Sequence, residues 1–305
     1  MNNIKVSIII ATYNRGHFIF ETLKSIVNQS FKEFECIIVD DGGTDNTFEV
    51  IKPILDSDSR FSFHRRPSSH KKGLPGTRNY GISIAKGEYV IFFDDDDIIH
   101  PENLQTCVNE FKNSEIDFCK YDKKAFFGEF DYVFENALIK NRTKFDVKNI
   151  QSLVDNSAMF ASCVVMWKKE CFLNNLFNEN LMYAEEWELY PRIISNGFSG
   201  ITIDTTLYYN RKHDESNTGQ FWSFDSVRRN SKNEAVKLVF NNLKKKDLLT
   251  FSITSYLVSL AFFLKEKSLL DYILSKSDFT VFRKMYIKLK YYIYPFVKVI
   301  KRKLK

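Results

Sequence analysis

Residues 88–101 read EYVIFFDDDDIIHP: an apolar run, Tyr89–Phe93, enters four consecutive aspartates. Four like charges repel one another, so this placement is favourable only beside a compensating cation. Side chains alternate along an extended chain, which predicts Asp94 and Asp96 on one side and Asp95 and Asp97 on the other. Two carboxylates at i and i+2 suit a hard divalent ion, Mn2+ or Mg2+, which prefers oxygen ligands and keeps positions open for phosphate. The plain alternative is an acidic turn in water, which the buried strand just before it disfavours. The same polar bias follows two earlier apolar runs: Thr12, Tyr13, Asn14 and Arg15 after one, and Asp40, Asp41, Gly42 and Gly43 after the other. In a parallel α/β sheet, ligands bind beyond the carboxyl ends of the strands.

The elements that must position these groups alternate. Strands are expected at 5–11, 34–40, 61–66 and 89–94, with helices at 18–29, 45–55, 77–87 and 101–114. Strand and helix at this pitch imply a parallel sheet with helices on its faces. Pro53 is expected to end or bend the second helix, and Gly87 to close the third. Residues 162–172 read as a strand running into a helix, 184–198 as a helix containing Pro191, and 201–211 as extended chain. From 225 onward the pattern is helical. The softest boundary lies in the polar stretch 212–220, dividing the chain into 1–215 and a helical region, 216–305.

The 305 residues are 44% hydrophobic and 27% charged, enough for a large core and against disorder. The apolar run 4–10 is too short for a signal sequence or a membrane span, and five cysteines without C-x-x-C read as reduced structural thiols; a cytoplasmic protein is expected. Residues 279–305 hold nine Lys/Arg and no acid, whereas the rest carries 35 bases against 38 acids. The net charge of +6 therefore comes from the tail, and nucleic acid is not an expected partner of the main domain. Basic, aromatic and acid-free, the tail has the composition of an interfacial helix, with Pro295 expected to break it. Peripheral contact with the anionic inner face of the cell membrane follows; the alternative is a terminal helix pair with a solvated basic face.

The ordered segments VSIIIATYNR, IIVDDGGTDNT, GTRNYGISIAKGEYVIFFDDDD and EEWELYPRI resemble the family 2 inverting glycosyltransferases of the glycosyltransferase A fold, over about residues 4–215. The resemblance implies an α/β fold with a Rossmann-like mixed sheet, a nucleotide-sugar donor (a UDP-sugar), a divalent cation, and a glycan or lipid-linked acceptor in bacterial surface polysaccharide synthesis. It implies that Thr12, Tyr13, Asn14 and Arg15 line the nucleotide pocket and that Asp41, with Asp40, accepts from the uracil N–H. Arg78 then faces the diphosphate or orients Asp41. Asp94, Asp95 and Asp96 match the D-x-D motif, with Asp96 on the metal and Asp94 or Asp95 on ribose and metal. Glu186 matches the general base, where the family usually has Asp, and Glu185 is the alternative. His213 stands where members often carry a His that touches diphosphate or metal. Trp187 either packs in the core or stacks on a sugar.

Two rival readings share parts of this pattern. A nucleotidyltransferase uses a similar sheet and metal carboxylates but has a Gly-rich basic loop after the first strand, which ATYNRGHF is not. A non-catalytic nucleotide-sugar-binding homologue is favoured only by Glu at the base position.

Overall fold

A computed structural model describes residues 4–131, 133–213 and 217–303. The chain packs as two compact units, Met1–Lys232 and Asn233–Lys305.

The first unit opens with β1 (Val6–Thr12), α1 (Ile19–Val27), β2 (Phe34–Asp40), α2 (Thr47–Ser57), β3 (Phe61–Arg65), α3 (Leu74–Ile84) and β4 (Tyr89–Phe93). Short β5 (Ile98–Ile99) precedes α4 (Asn103–Asn113), β6 (Phe118–Phe127), β7 (Arg142–Phe145) and α5 (Ile150–Val154). Then come β8 (Val165–Lys168), α6 (Glu185–Ser195), β9 (Gly200–Lys212), α7 (Asn217–Trp222) and the first turns of α8 (Ser226–Lys245). One sheet runs in the order β3-β2-β1-β4-β8-β6-β9-β5, with β7 on β9. The β1–β2, β2–β3, β1–β4 and β6–β9 pairs are parallel, and β8 is antiparallel to both β4 and β6. The sheet is therefore mixed, as the resemblance implies.

Strands β1, β2 and β4 are buried along both faces, which their continuous Val/Ile/Phe runs require. Their register matters for function. Thr12 lies opposite Asp40, and Ile10 opposite Phe93, so the polar residues that follow these strands emerge along one edge. Close packing of α3 on β1 depends on Gly81, where a Cβ would come within 2.5 Å of Ile9 Cγ2.

Several boundaries differ from expectation. Helix α2 runs through Pro53, because a proline there forfeits one N–H without forbidding helical φ. Helix α3 starts at Leu74 and ends at Ile84, so Gly87 is no helix cap; a Cβ there would come within 2.6 Å of the Ser7 backbone nitrogen. Residues 162–172 form β8 flanked by two 3₁₀ turns. Part of the polar stretch 212–220, residues 214–216, lies outside the described residues.

The second unit contains the rest of α8 with α9 (Phe251–Leu264), α10 (Lys267–Lys276) and α11 (Val281–Lys303). Its core is Val239, Phe240, Leu257, Ala261, Leu270 and Ile273 with their neighbours. Helix α11 is continuous through Pro295, against the expected break, since one lost N–H leaves the flanking turns bonded. Residues 304 and 305 of the tail, and its side chains from 294 on, lie outside the described residues. Among the described residues no helix is long and apolar enough to cross a membrane.

Candidate active site

The four aspartates do not alternate along an extended strand. Residues 95 and 96 form a turn, which brings Asp94 and Asp97 together at i and i+3. The ligand atoms of Asp94, Asp97 and Cys163 all lie within 4.8 Å of one another. Asp96 turns instead to His213, with Oδ2 2.8 Å from Nε2. The expected pairing of Asp94 with Asp96 on one strand side is thus replaced by a turn, although Asp96 is still close enough to oppose ionisation of Asp94.

The cation that such a run demands is Arg78. Its guanidinium is buried on α3, donates to Asp94 Oδ1 and Glu185 Oε1 at 3.2 Å each, and donates to Ser162 Oγ at 2.8 Å. One side chain thereby joins the end of β4 at Phe93 to the start of α6 at Glu185. Arg78 does not orient Asp41. That role falls to Arg66, whose Nε is 2.5 Å from Asp41 Oδ1, while the Gly73 N–H donates to Oδ2 at 2.9 Å. Asp40 accepts from the Gly43 N–H at 2.9 Å. Asn14, at φ 55, accepts from the Thr44 and Asp45 N–H groups and fastens the loop after β1 to the loop after β2. Arg15 Nε lies 3.9 Å from Asp95. Tyr13 is half exposed, with Lys72 Nζ 4.4 Å from its ring centre.

Electrostatics here are those of crowded carboxyls. Burial, then Asp96, pushes Asp95 up to about 7, opposed by the Thr12 hydroxyl and Arg15. Removal from water also raises Asp94, with Arg78 pulling the other way. Burial raises Asp97 well above the usual range, and Asp96 and Asp94 add to it. Burial and then Glu186 carry Glu185 up to about 8 despite Arg78. Burial sends the Cys163 thiol up to about 12, so it stays protonated and is a poor ligand for a hard cation.

A divalent cation fits the oxygen-rich part of this set. Asp94 and Asp97 supply its carboxylate oxygens, and the buried Nδ1 of His213, whose ring is held by Asp96, has no partner among the described residues. Its other nitrogen, held on Asp96, aligns the ring as an outer-shell carboxylate commonly does.

The structure therefore brings Thr12, Arg15, Arg78, Asp94, Asp95, Asp96, Glu185, Glu186 and His213 into one connected set. Tyr13, Asn14, Asp40 and Asp41 line the adjoining loops. Trp187 packs: its Nε1 donates to the Val154 carbonyl at 3.0 Å and its ring face is covered by Lys232. Sequence reasoning missed Arg66, Lys123 and Arg211. The Arg211 N–H donates to Asp97 Oδ1 at 2.7 Å and its Nε to the Asp96 carbonyl at 2.9 Å. Alternation along β9 could have pointed to Arg211. Lys123 had no such signal, because a shift of register in β6 between Lys120 and Lys123 decides its direction.

Residues 7–172 match the family described as glycosyl transferase family 2. An uncharacterized glycosyltransferase of Rickettsia conorii is 31% identical over 208 residues, covering 66% of this chain and 32% of that protein. A GalNAc(5)-diNAcBac-PP-undecaprenol beta-1,3-glucosyltransferase of Campylobacter jejuni is 31% identical over 167 residues, 45% of this chain and 54% of that one. The chain thus spans about a third to a half of the length of these relatives. Crystalline S. aureus TarS 1-349 in complex with UDP-GlcNAc superposes with a TM-score of 0.67 at 21% identity, over 88% of this chain and 82% of that one. At that identity the likeness is one of fold.

Proposed function

Because the chain belongs to glycosyl transferase family 2, we propose that it moves a sugar from a UDP-sugar, with inversion, to a hydroxyl of a glycan or lipid-linked acceptor in surface polysaccharide synthesis. The observation that carries this reading is the Arg78 bridge between Asp94 and Glu185. It sets a metal-type carboxylate cluster beside the first turn of α6, which bears the candidate base, Glu186.

Asp41, fixed by Arg66 and Gly73, keeps unused lone pairs for the uracil N3–H, a donor that cytosine lacks. Tyr13 offers the base a ring, and Asn14 holds its loop in place. Asp95 takes the ribose. Asp94, Asp96, Asp97 and His213 would hold Mn2+ or Mg2+. Bound there, the cation would neutralise the charge that grows on the departing diphosphate. Glu186 removes the proton from the acceptor hydroxyl as the new bond to the anomeric carbon forms and the bond to the β-phosphate oxygen breaks. A well-placed base of this kind contributes roughly 10²–10⁴ in rate. Inversion needs no covalent nucleophile.

The acceptor is met at the anionic inner face of the cell membrane. Support comes from α11, where Phe282, Met285, Tyr286, Leu289 and Ile293 share one exposed stripe while Ile287 faces the unit's core. Deleting 279–305 should abolish binding to phosphatidylglycerol vesicles and spare UDP binding. Undiminished vesicle binding would refute this part.

Calorimetry with UDP, with and without Mn2+, tests the central claim. Metal-enhanced UDP binding that disappears in D96A is expected, together with UDP-sugar hydrolysis that collapses in E186Q. Equal UDP affinity in both proteins, or hydrolysis unaffected by E186Q, would remove the assigned residue from its role.

A further inference from the structure

Both donors on the Asp41 carboxylate come from one loop, residues 66–73, which joins β3 to α3 and is neither helix nor strand. Arg66 at its start lies 2.5 Å from Oδ1, and Gly73 at its end, held at φ 122, donates its N–H to Oδ2 at 2.9 Å. Between them Lys72 sets its Nζ over the Tyr13 ring. Arg66 also leans on its own loop: Nη1 donates to the His70 carbonyl and, at 3.2 Å, to the Pro67 carbonyl. The aim of both donors therefore depends on where residues 70–73 are held.

What holds them lies about a hundred positions away. Glu179, in the segment that leads into α6, accepts the Lys71 N–H on Oε2 at 2.7 Å, and its Oε1 lies 2.8 Å from His70 Nδ1. Oε1 also accepts from Asn79 Nδ2 of α3 at 2.9 Å. Asn79 is buried and bonded at 3.0 Å to both the N–H and the carbonyl of Phe177, so the segment that carries Glu179 is itself anchored. Lys71 Nζ reaches Asn180 Oδ1 at 2.5 Å, and a Cβ on Gly73 would come within 2.9 Å of Met182 Sδ. Burial works against ionisation of Glu179, but the bonds from Asn79, Lys71 and His70 outweigh it and hold the carboxyl below its usual value. An ionised carboxylate only accepts, so the proton of the His70 contact sits on Nδ1.

We propose that Glu179 is a positioning residue for base recognition: by clamping His70 and Lys71 it fixes the loop whose Arg66 and Gly73 orient the Asp41 carboxylate. The clamp reaches Asp41 by two routes, through His70 to Arg66 and through Lys71 to Gly73, so both carboxylate oxygens depend on it. A tie that served stability alone would weaken all nucleotides alike and leave the choice of base unchanged.

The inference rests on Asp41 reading the uracil ring. Calorimetry with UDP and with CDP, each with and without Mn2+, compares wild type, E179A, E179Q, D41N and the E179A/D41N double variant. In E179A the affinity for UDP should fall about tenfold and that for CDP less, so that the preference shrinks toward that of D41N. E179Q keeps one carbonyl acceptor and should recover part of the loss; it carries the same comparison should E179A not fold. Adding E179A to D41N should shrink the preference no further, as expected of two residues that act through one contact. Enhancement by Mn2+ should persist in E179A, because the acids after β4 are untouched. Amide hydrogen exchange over residues 70–73 should quicken about tenfold in E179A. An undiminished preference in E179A, whether both nucleotides weaken equally or neither does, overturns the proposal. A wild type without any preference would instead defeat the uracil reading of Asp41; the exchange rates then decide on the clamp, and unchanged exchange over 70–73 overturns it.

Discussion

Glu185 is buried, and its folded-state pKa is raised from 4.5 to about 8, chiefly by burial and next by Glu186. The native protein therefore holds a proton that the unfolded chain has released across this interval. The stability contributed by this group is complete below pH 4.5 and is lost as pH rises through 8. Each pH unit between the two values is worth about 1.4 kcal/mol, so from pH 5 to pH 8 this one carboxyl lowers stability by about 3 kcal/mol. E185Q removes the titration and keeps an acceptor for Arg78. The variant should lie near wild type at pH 5 and be more stable by about that amount at pH 8. Asp94, Asp95 and Asp97 also titrate with raised pKa values, so the difference between the two proteins isolates Glu185. Urea unfolding followed by tryptophan fluorescence suits the measurement, because Trp167, Trp187 and Trp222 all belong to the first unit. Parallel pH–stability curves for E185Q and wild type would refute the reasoning, as would a stability advantage largest at pH 5.

R78Q should destabilise the first unit by about 1–3 kcal/mol, the usual effect of leaving buried acceptors such as Glu185 and Ser162 without their donor, and the urea midpoint reads it directly. D41N should weaken UDP more than CDP in calorimetry, by about 1–3 kcal/mol for the lost charge-assisted bond, shrinking the preference between them. G81A sets two effects against each other: alanine favours the helix by about 1 kcal/mol, while a Cβ 2.5 Å from Ile9 costs about 1–3 kcal/mol through overpacking. A lower thermal midpoint for G81A is expected, and a higher one would mean that α3 simply moves away.

Much of the fold was legible in local pattern. Continuous β-branched and aromatic runs mark β1, β2 and β4, because strands covered on both faces need no polar alternation. The acids and polar residues after them could be assigned to one edge, since parallel strands end on the same side. The same logic, with the resemblance of four ordered segments, supplied Asp41, Arg78, Asp94 to Asp96 and Glu186 as a candidate set. It failed where a rule of extended chain was applied to a turn: Asp94 meets Asp97, and Asp96 meets His213. It also misjudged Gly87 and Pro295, whose local effect depends on what packs around them.

Residue types and their order along the strands thus dictate the architecture and the chemical character of the cleft, because hydrophobic burial and strand direction act over short stretches of chain. Only the folded molecule decides the pairings: Arg66 rather than Arg78 on Asp41, Arg78 between Asp94 and Glu185, and Lys232 on Trp187. These contacts join residues from 16 to 107 positions apart, and their direction is set by a turn, a strand irregularity or a packed helix. No local spacing carries that information, since a charged side chain of several rotatable bonds takes the orientation its distant partners leave open.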